Sequence, residues 1–498
     1  MPLPRSLRSL LLALAWGCGD AAPPVRSVPL DPTNINLVFV TSQDLVDHAP
    51  DDVDPVTTNL TAQGLQRSLM LATYLQEQVL GSANVNRIYA LQPMSHVQLG
   101  VPDMVAIGSI QQFAMLNRLS LTAAAGSGSP LFTAYSTPIN VSYRLDAGLP
   151  REVVSPLGTP PLDVGNPPTL GACPGCQGMA FGDPAGNLAL VQRIIAAGAP
   201  GAFVFSASWA TTQALLADLA AQSGSGLNAP TTFLGPNVIH VISVAPSGAA
   251  ALVTYDSQLS PPATYPVLPV ALASAPCPGV GTPTALFTLQ AQAGSPGFVL
   301  PAAHNASETV YLMRHTEAHP AEGWEDGNYV AAGQWRALAM ADSLRGKVSP
   351  TQVWAIDPAQ VAPGALNPGN SSASYVRPAL TVWPYTVANH LPLNLVHEFE
   401  LQAGNSPKST SDKFFMGGAF NGERVLLDWE HNHFPPIVTA LLDTYYPDGG
   451  APTVPGWPTN DYDTLWTVSL DAAGNVTVTN ALCQGLDSSR LPAAAPRF

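Results

Sequence analysis

Short apolar runs alternate with stretches of helical spacing along most of the chain. In the first half Ile35–Val40, Arg87–Leu91 and Gly201–Phe205 read as buried strands. Leu65, Leu69, Ala72, Leu75 and Val79 recur at helical spacing within Leu60–Leu80, and Ile107–Leu116, Leu188–Ala197 and Thr211–Ala221 also predict helices. Val238–Val244 and Ala250–Tyr255 predict a hairpin around Pro246-Ser247-Gly248. Val310–Met313, Val353–Ile356 and Val425–Trp429 are strands of the second half. Gly333–Leu344, Val376–Ala388 and Ile437–Leu442 are its helices, with Pro378 and Pro384 limiting the second. Leu465–Leu470 and Val476–Thr479 form a closing hairpin around Ala473-Gly474. Gly126–Gly186 reads as an inserted excursion, residues 358–374 as a loop and 257–305 as a Pro-rich connection.

The order of elements occurs twice. Leu37–Asp44 lies over Val310–Glu317, Gly64–Leu69 over Gly333–Leu338, and Ile88–Pro93 over Val353–Pro358. Two homologous α/β domains from an internal duplication are therefore expected, at residues 28–260 and 306–498. Residues 261–305 form the linker and 1–27 a leader.

Composition narrows the partners. Only 11% of the 498 residues are charged, there are 50 Pro and 41 Gly, and the net charge is −15. That balance disfavours nucleic acid and anionic membrane surfaces, so an anionic substrate needs a locally positive pocket. Arg5 and Arg8 precede the apolar run Leu10–Trp16, which predicts export. The leader reads either as a cleaved signal peptide or as a lipoprotein signal, with Ala15-Trp16-Gly17-Cys18 as a loose lipobox and a lipid anchor on Cys18. The lipoprotein reading is slightly favoured, which places the protein in the periplasm or at the cell surface. Of the remaining cysteines, Cys173 and Cys176 suit a local disulfide, and Cys277 with Cys483 follows by elimination.

The candidate chemistry gathers in the second half. Arg314-His315-Thr316-Glu317 follows directly on the strand Val310–Met313. Ser374-Tyr375-Val376-Arg377 opens a helix, and Val425–Trp429 leads into Glu430-His431-Asn432-His433. These motifs, in this order, resemble the histidine phosphatase superfamily, whose fold is phosphoglycerate-mutase-like, over residues 308–498. Thr316 stands where the family has glycine. The resemblance implies two tandem three-layer α/β/α domains, each with a mostly parallel central sheet, and a phosphohistidine intermediate on His315. It also implies phosphate clamps at Arg314 and Arg377 and a second catalytic histidine at His431, with His433 the weaker choice.

The proton donor implied is Glu400, with Glu430 and Glu398 as rivals, since Asn432 cannot serve. No metal or cofactor is required if the cationic side chains neutralise the phosphate. A zinc reading of His431 and His433 with His315 and His319 has no regular ligand spacing behind it. In the first half Thr41, Ser42, Val105 and Ser208 fall at the four functional positions, so that domain is expected to be a degenerate pseudoenzyme copy. The expected activity is hydrolysis of a small phosphomonoester. A phosphoglycerate-type mutase and a non-catalytic cell-surface binding protein are the alternatives, and the oligomeric state is open.

Overall fold

The computed structural model describes residues 26–96, 101–119, 135–136, 139–141, 179, 184–223, 227–277, 285–318, 327–358, 374–396 and 406–498. Cys18, Cys173, Cys176, His319, Glu398 and Glu400 lie outside them. The architecture is mixed α/β. Two sheets, two short ribbons and eight α-helices occur among the described residues.

The first half contains β1 (Ile35–Thr41), α1 (Ala62–Tyr74), β2 (Arg87–Ala90), β3 (Met94–His96), β4 (Val101–Asp103) and α2 (Val105–Leu116). It continues with β5 (Arg118–Leu119), β6 (Tyr135–Ser136), β7 (Ile139–Val141), α3 (Pro184–Ala197), β8 (Gly201–Ala207), α4 (Trp209–Ser223), β9 (Val238–Val244) and β10 (Ala250–Asp256). The second half contains β11 (Thr288–Ala291), β12 (Glu308–Arg314), α5 (Ala331–Ser343), β13 (Gln352–Ile356), α6 (Arg377–Asn389) and β14 (Leu393–Val396). It ends with α7 (Pro407–Phe415), β15 (Arg424–Trp429), α8 (Phe434–Tyr445), β16 (Thr464–Leu470) and β17 (Val476–Cys483).

The sheets have the orders β10-β9-β1-β8-β2-β7 and β11-β17-β16-β12-β15-β13-β14. Apart from β11 they share one topology. Four parallel strands carry an antiparallel hairpin on one side. β1 is buried along its whole length, which explains the apolar run Leu37–Val40. One face of its sheet packs Leu37 and Phe39 against α3 and α4, and the other turns Val38 and Val40 toward α1 and α2.

Three predicted segments differ. The expected excursion supplies β7, which pairs with β2 at the sheet edge. The expected linker supplies β11, which pairs with β17, and Cys277 bonds to Cys483 at the end of that strand. Three or four residues hold too little periodicity to announce a strand. Pro384 lies inside α6 without ending it. A proline there removes one main-chain hydrogen bond, but all residues from Arg377 to Val387 are buried and their packing outweighs that loss.

A buried arginine ties the first helix of each half to its sheet. Arg336 on α5 donates to Glu317 (2.7 Å), Asp463 (2.9 Å) and the Leu486 carbonyl (3.2 Å). Arg67 on α1 donates to Asp52 (2.6 Å), the Asn237 side chain (2.8 Å) and the Leu259 carbonyl (2.8 Å). Asn237 and Asp463 each immediately precede the hairpin. The sequence overlay sets Asp44 opposite Glu317, whereas the fold puts Asp52 there. The loop after β1 is longer, and Thr61 N bonds to Asp52 O (3.0 Å) as Val330 N bonds to Glu317 O (2.9 Å).

The halves meet through α1, α2, α5 and α6. Trp383 on α6 reaches Asn59 with its indole N–H (3.2 Å), and a Cβ at Gly108 on α2 would lie 2.4 Å from that ring. No helix among the described residues is long and apolar enough to cross a membrane.

Candidate active site

His315 leaves β12 in the middle of the second sheet, between β15 and β16. Its main-chain N–H donates to the Trp429 carbonyl (3.0 Å), which continues the parallel ladder past the strand end. This is the carboxyl end of parallel strands, where open α/β sheets place their ligands. The imidazole is buried. Its Nδ1 lies 2.8 Å from the Thr316 carbonyl, an acceptor only, so Nδ1 carries the proton. The lone pair is thereby left on Nε2, which has no hydrogen-bond partner among the described residues. Only the main chain of residue 316 is needed for this. The Thr316 side chain is accommodated because a Cβ at Gly333 would come within 2.7 Å of Thr316 Oγ1.

Arg314 is also buried. It donates to the Thr459 carbonyl, and its guanidinium lies 3.9 Å over the Tyr462 ring. It has no carboxylate partner among the described residues. Arg377 is the first residue of α6. Its main-chain N donates to Gly327 O (3.1 Å) and its Nε to Asn328 O (2.9 Å). His431 lies two residues past β15, with Nδ1 buried and unpartnered among the described residues.

These four groups act on one another. Burial first, then Arg377, Arg314 and His431, hold His315 well below the usual imidazole range. Burial, Arg314 and His433 push His431 down to about 3. Both rings are therefore neutral at ordinary pH, one with a lone pair to give and both beside fixed positive charge. A dianionic phosphoryl group would offset that charge, and a neutral imidazole is the form that can attack phosphorus.

A lowered pKa keeps His315 neutral as pH falls through 6.5, its ordinary value. We expect kcat/KM, corrected for substrate ionisation, to show its acid limb well below pH 6.5. A limb at 6.5 would mean that His315 titrates as an exposed histidine does.

Glu430 is buried beside the site and accepts from the Tyr375 hydroxyl (2.6 Å). His433 is stacked on Trp429, with ring centroids 4.0 Å apart and its Nε2 3.9 Å from Glu430, so it is occupied by packing. No metal-holding group of His, Cys, Asp or Glu occurs among the described residues.

Sequence reasoning missed Tyr375, Thr381 and Arg336 as contributors. The Thr316 N–H donates to Thr381 Oγ1 (3.0 Å), and Arg336 fixes Glu317 next to it. Arg336 could have been found, since an arginine three residues after a helical glycine occurs in both halves.

The matching strand end of the first half carries Thr41 and Ser42 in place of Arg314 and His315. Ser42 N donates to Ala207 O (2.8 Å) as His315 N does to Trp429 O. That register places Trp209, rather than Ser208, opposite His431. Thr41 and Ser42 are buried there, and His240 on the neighbouring β9 pairs with Phe39 and lies 5.7 Å from Trp209 between ring centroids.

No family model matches the chain, and no curated protein matches it. Among solved structures, a provisionally named phosphohistidine phosphatase SixA of Agrobacterium tumefaciens is 17% identical, covering 33% of this chain and 89% of the other at a TM-score of 0.20. A second, from Nakamurella multipartitia, is 14% identical, covering 40% and 94% at the same TM-score. A mycobacterial glucosyl-3-phosphoglycerate phosphatase in complex with inorganic phosphate is 16% identical over 32% and 89%, again at 0.20. All three are phosphatases by name. At such scores the likenesses carry nothing about this chain, and its function is read from its own residues.

Proposed function

We propose that the chain is a histidine phosphatase, a hydrolase of a small phosphomonoester that works through a phosphohistidine on His315. The supporting observation is the imidazole itself: Nδ1 is committed to the Thr316 carbonyl, and Nε2 is buried and unpartnered among the described residues beside Arg314 and Arg377. In the first step Nε2 bonds to phosphorus as the ester P–O bond breaks, and the leaving oxygen takes a proton from a carboxylic acid. Glu400 is our choice for that acid, with Glu430 and Glu398 as rivals. In the second step water attacks the phosphohistidine, the P–N bond breaks, and the same carboxylate takes the proton from water. Arg314, Arg377 and His431 hold the equatorial oxygens in both steps.

The shared sheet topology and the matched Arg67 and Arg336 networks lead us to infer an internal duplication. The first domain, 28–260, is then a non-catalytic copy, 261–305 the linker and 306–498 the catalytic domain of phosphoglycerate-mutase-like fold. Export, with a lipid on Cys18, completes the proposal.

The test is a rapid acid-free quench of the enzyme with an isotopically labelled aryl phosphate, followed by peptide mapping. The expected result is one phosphoryl group on His315, stable in alkali and lost in acid as a phosphoramidate is. Turnover without that adduct would overturn the covalent route. Absence of both turnover and phosphate binding would favour a binding protein, and exchange of phosphate between positions of a sugar acid would favour a mutase.

A further inference from the structure

Resting on the reading of Arg377 as a phosphate clamp, we infer that Gln111, in the first domain, is a positioning residue for that arginine. Arg377 is held twice by one short segment, through its main-chain N on Gly327 O and its Nε on Asn328 O. The segment is tightly seated, since a Cβ at Gly327 would lie 1.9 Å from Ser374 O, three residues before Arg377. Asn328 is fixed from its own segment, where Tyr329 N donates to Asn328 Oδ1 (2.8 Å), and also from the other half of the molecule. Gln111 Nε2 donates to Asn328 Oδ1 (3.0 Å) and Asn328 Nδ2 donates to Gln111 Oε1 (2.9 Å), a closed pair of amides with both residues buried.

A paired amide has one orientation, so α2, 217 residues away in sequence, contributes to setting the position of the Asn328 peptide. Guanidinium recognition of phosphate depends on geometry more than on charge alone. Gln111 therefore aims the clamp without touching substrate. The domain that lost its own chemistry has kept a role in that of its neighbour.

The test uses the full chain and inorganic phosphate as the probe. Gln111→Leu is expected to raise KM and the phosphate inhibition constant together, by about tenfold, with kcat changed less than about twofold, as a loss of uniform binding requires. Gln111→Glu keeps the shape and one of the two hydrogen bonds, and is expected to fall between. Asn59→Leu breaks the Trp383 contact at the same interface and is the control for stability. It should lower the unfolding midpoint without moving the phosphate constant. In an Arg377→Ala background, Gln111→Leu should add no further loss of phosphate affinity.

Additive losses in the double variant, or an equal loss in Asn59→Leu, would overturn the positioning role while leaving the phosphatase intact. A parent that neither turns over nor binds phosphate by calorimetry would overturn both readings together.

Discussion

On the proposed route, His315→Ala is expected to lower turnover of an aryl phosphate by at least about 10⁴-fold, because the remaining groups would bind phosphate but none would form the covalent intermediate. Arg314, Arg377 and His431 stay in place, so inorganic phosphate should still bind, and calorimetry separates the two effects. Stability should move the other way. The wild-type ring is buried with Nε2 unpartnered among the described residues and lies beside two guanidinium groups that oppose its protonation. Removing it takes away a desolvated polar group, so the unfolding midpoint should hold or rise. A variant that keeps a tenth of parental activity would remove His315 from the mechanism.

Arg336→Met is expected to have the largest effect on folding. Arg336 and Glu317 are fully buried, and Asp463 nearly so. Methionine matches the arginine stem but leaves two carboxylates without their cation. Breaking a buried pair from one side costs about 3–5 kcal/mol, and here one cation serves two anions, so the upper end of that range applies. Urea unfolding followed by tryptophan fluorescence measures it. Arg67→Met should cost less, because only Asp52 loses a charged partner and Asn237 is neutral. Equal losses at the two positions would show that the charge on Asp463 does not matter.

The contrast between these arginines explains what the sequence made legible. Strands such as β1, β12 and β15 announced themselves because burial on both faces demands a short apolar run, Leu37–Val40, Val310–Met313 and Val425–Leu427. Their carboxyl ends could then be read for chemistry, which singled out Arg314, His315 and His431 as candidates. The short strands β7, β11 and β14 stayed hidden because their sequences differ little from loops that touch a core. Arg336 stayed hidden for a different reason. A lone arginine on a helix ordinarily reads as solvated, and its burial depends on Asp463, 127 residues away. Gln111 and Asn328 belong to the same class, since no local pattern says that two neutral amides will face each other.

The seat of Trp383 on Gly108 bears on how this protein can be divided. Separate subunits would have to find that fit by collision at cellular dilution. On one chain the two helical faces meet at an effective concentration on the order of millimolar, so even weak complementarity keeps them docked. The tether thus relaxes selection for affinity while keeping selection for fit. A fragment limited to residues 306–498 would present an uncovered indole to solvent, and self-association would be expected once the first half is excised.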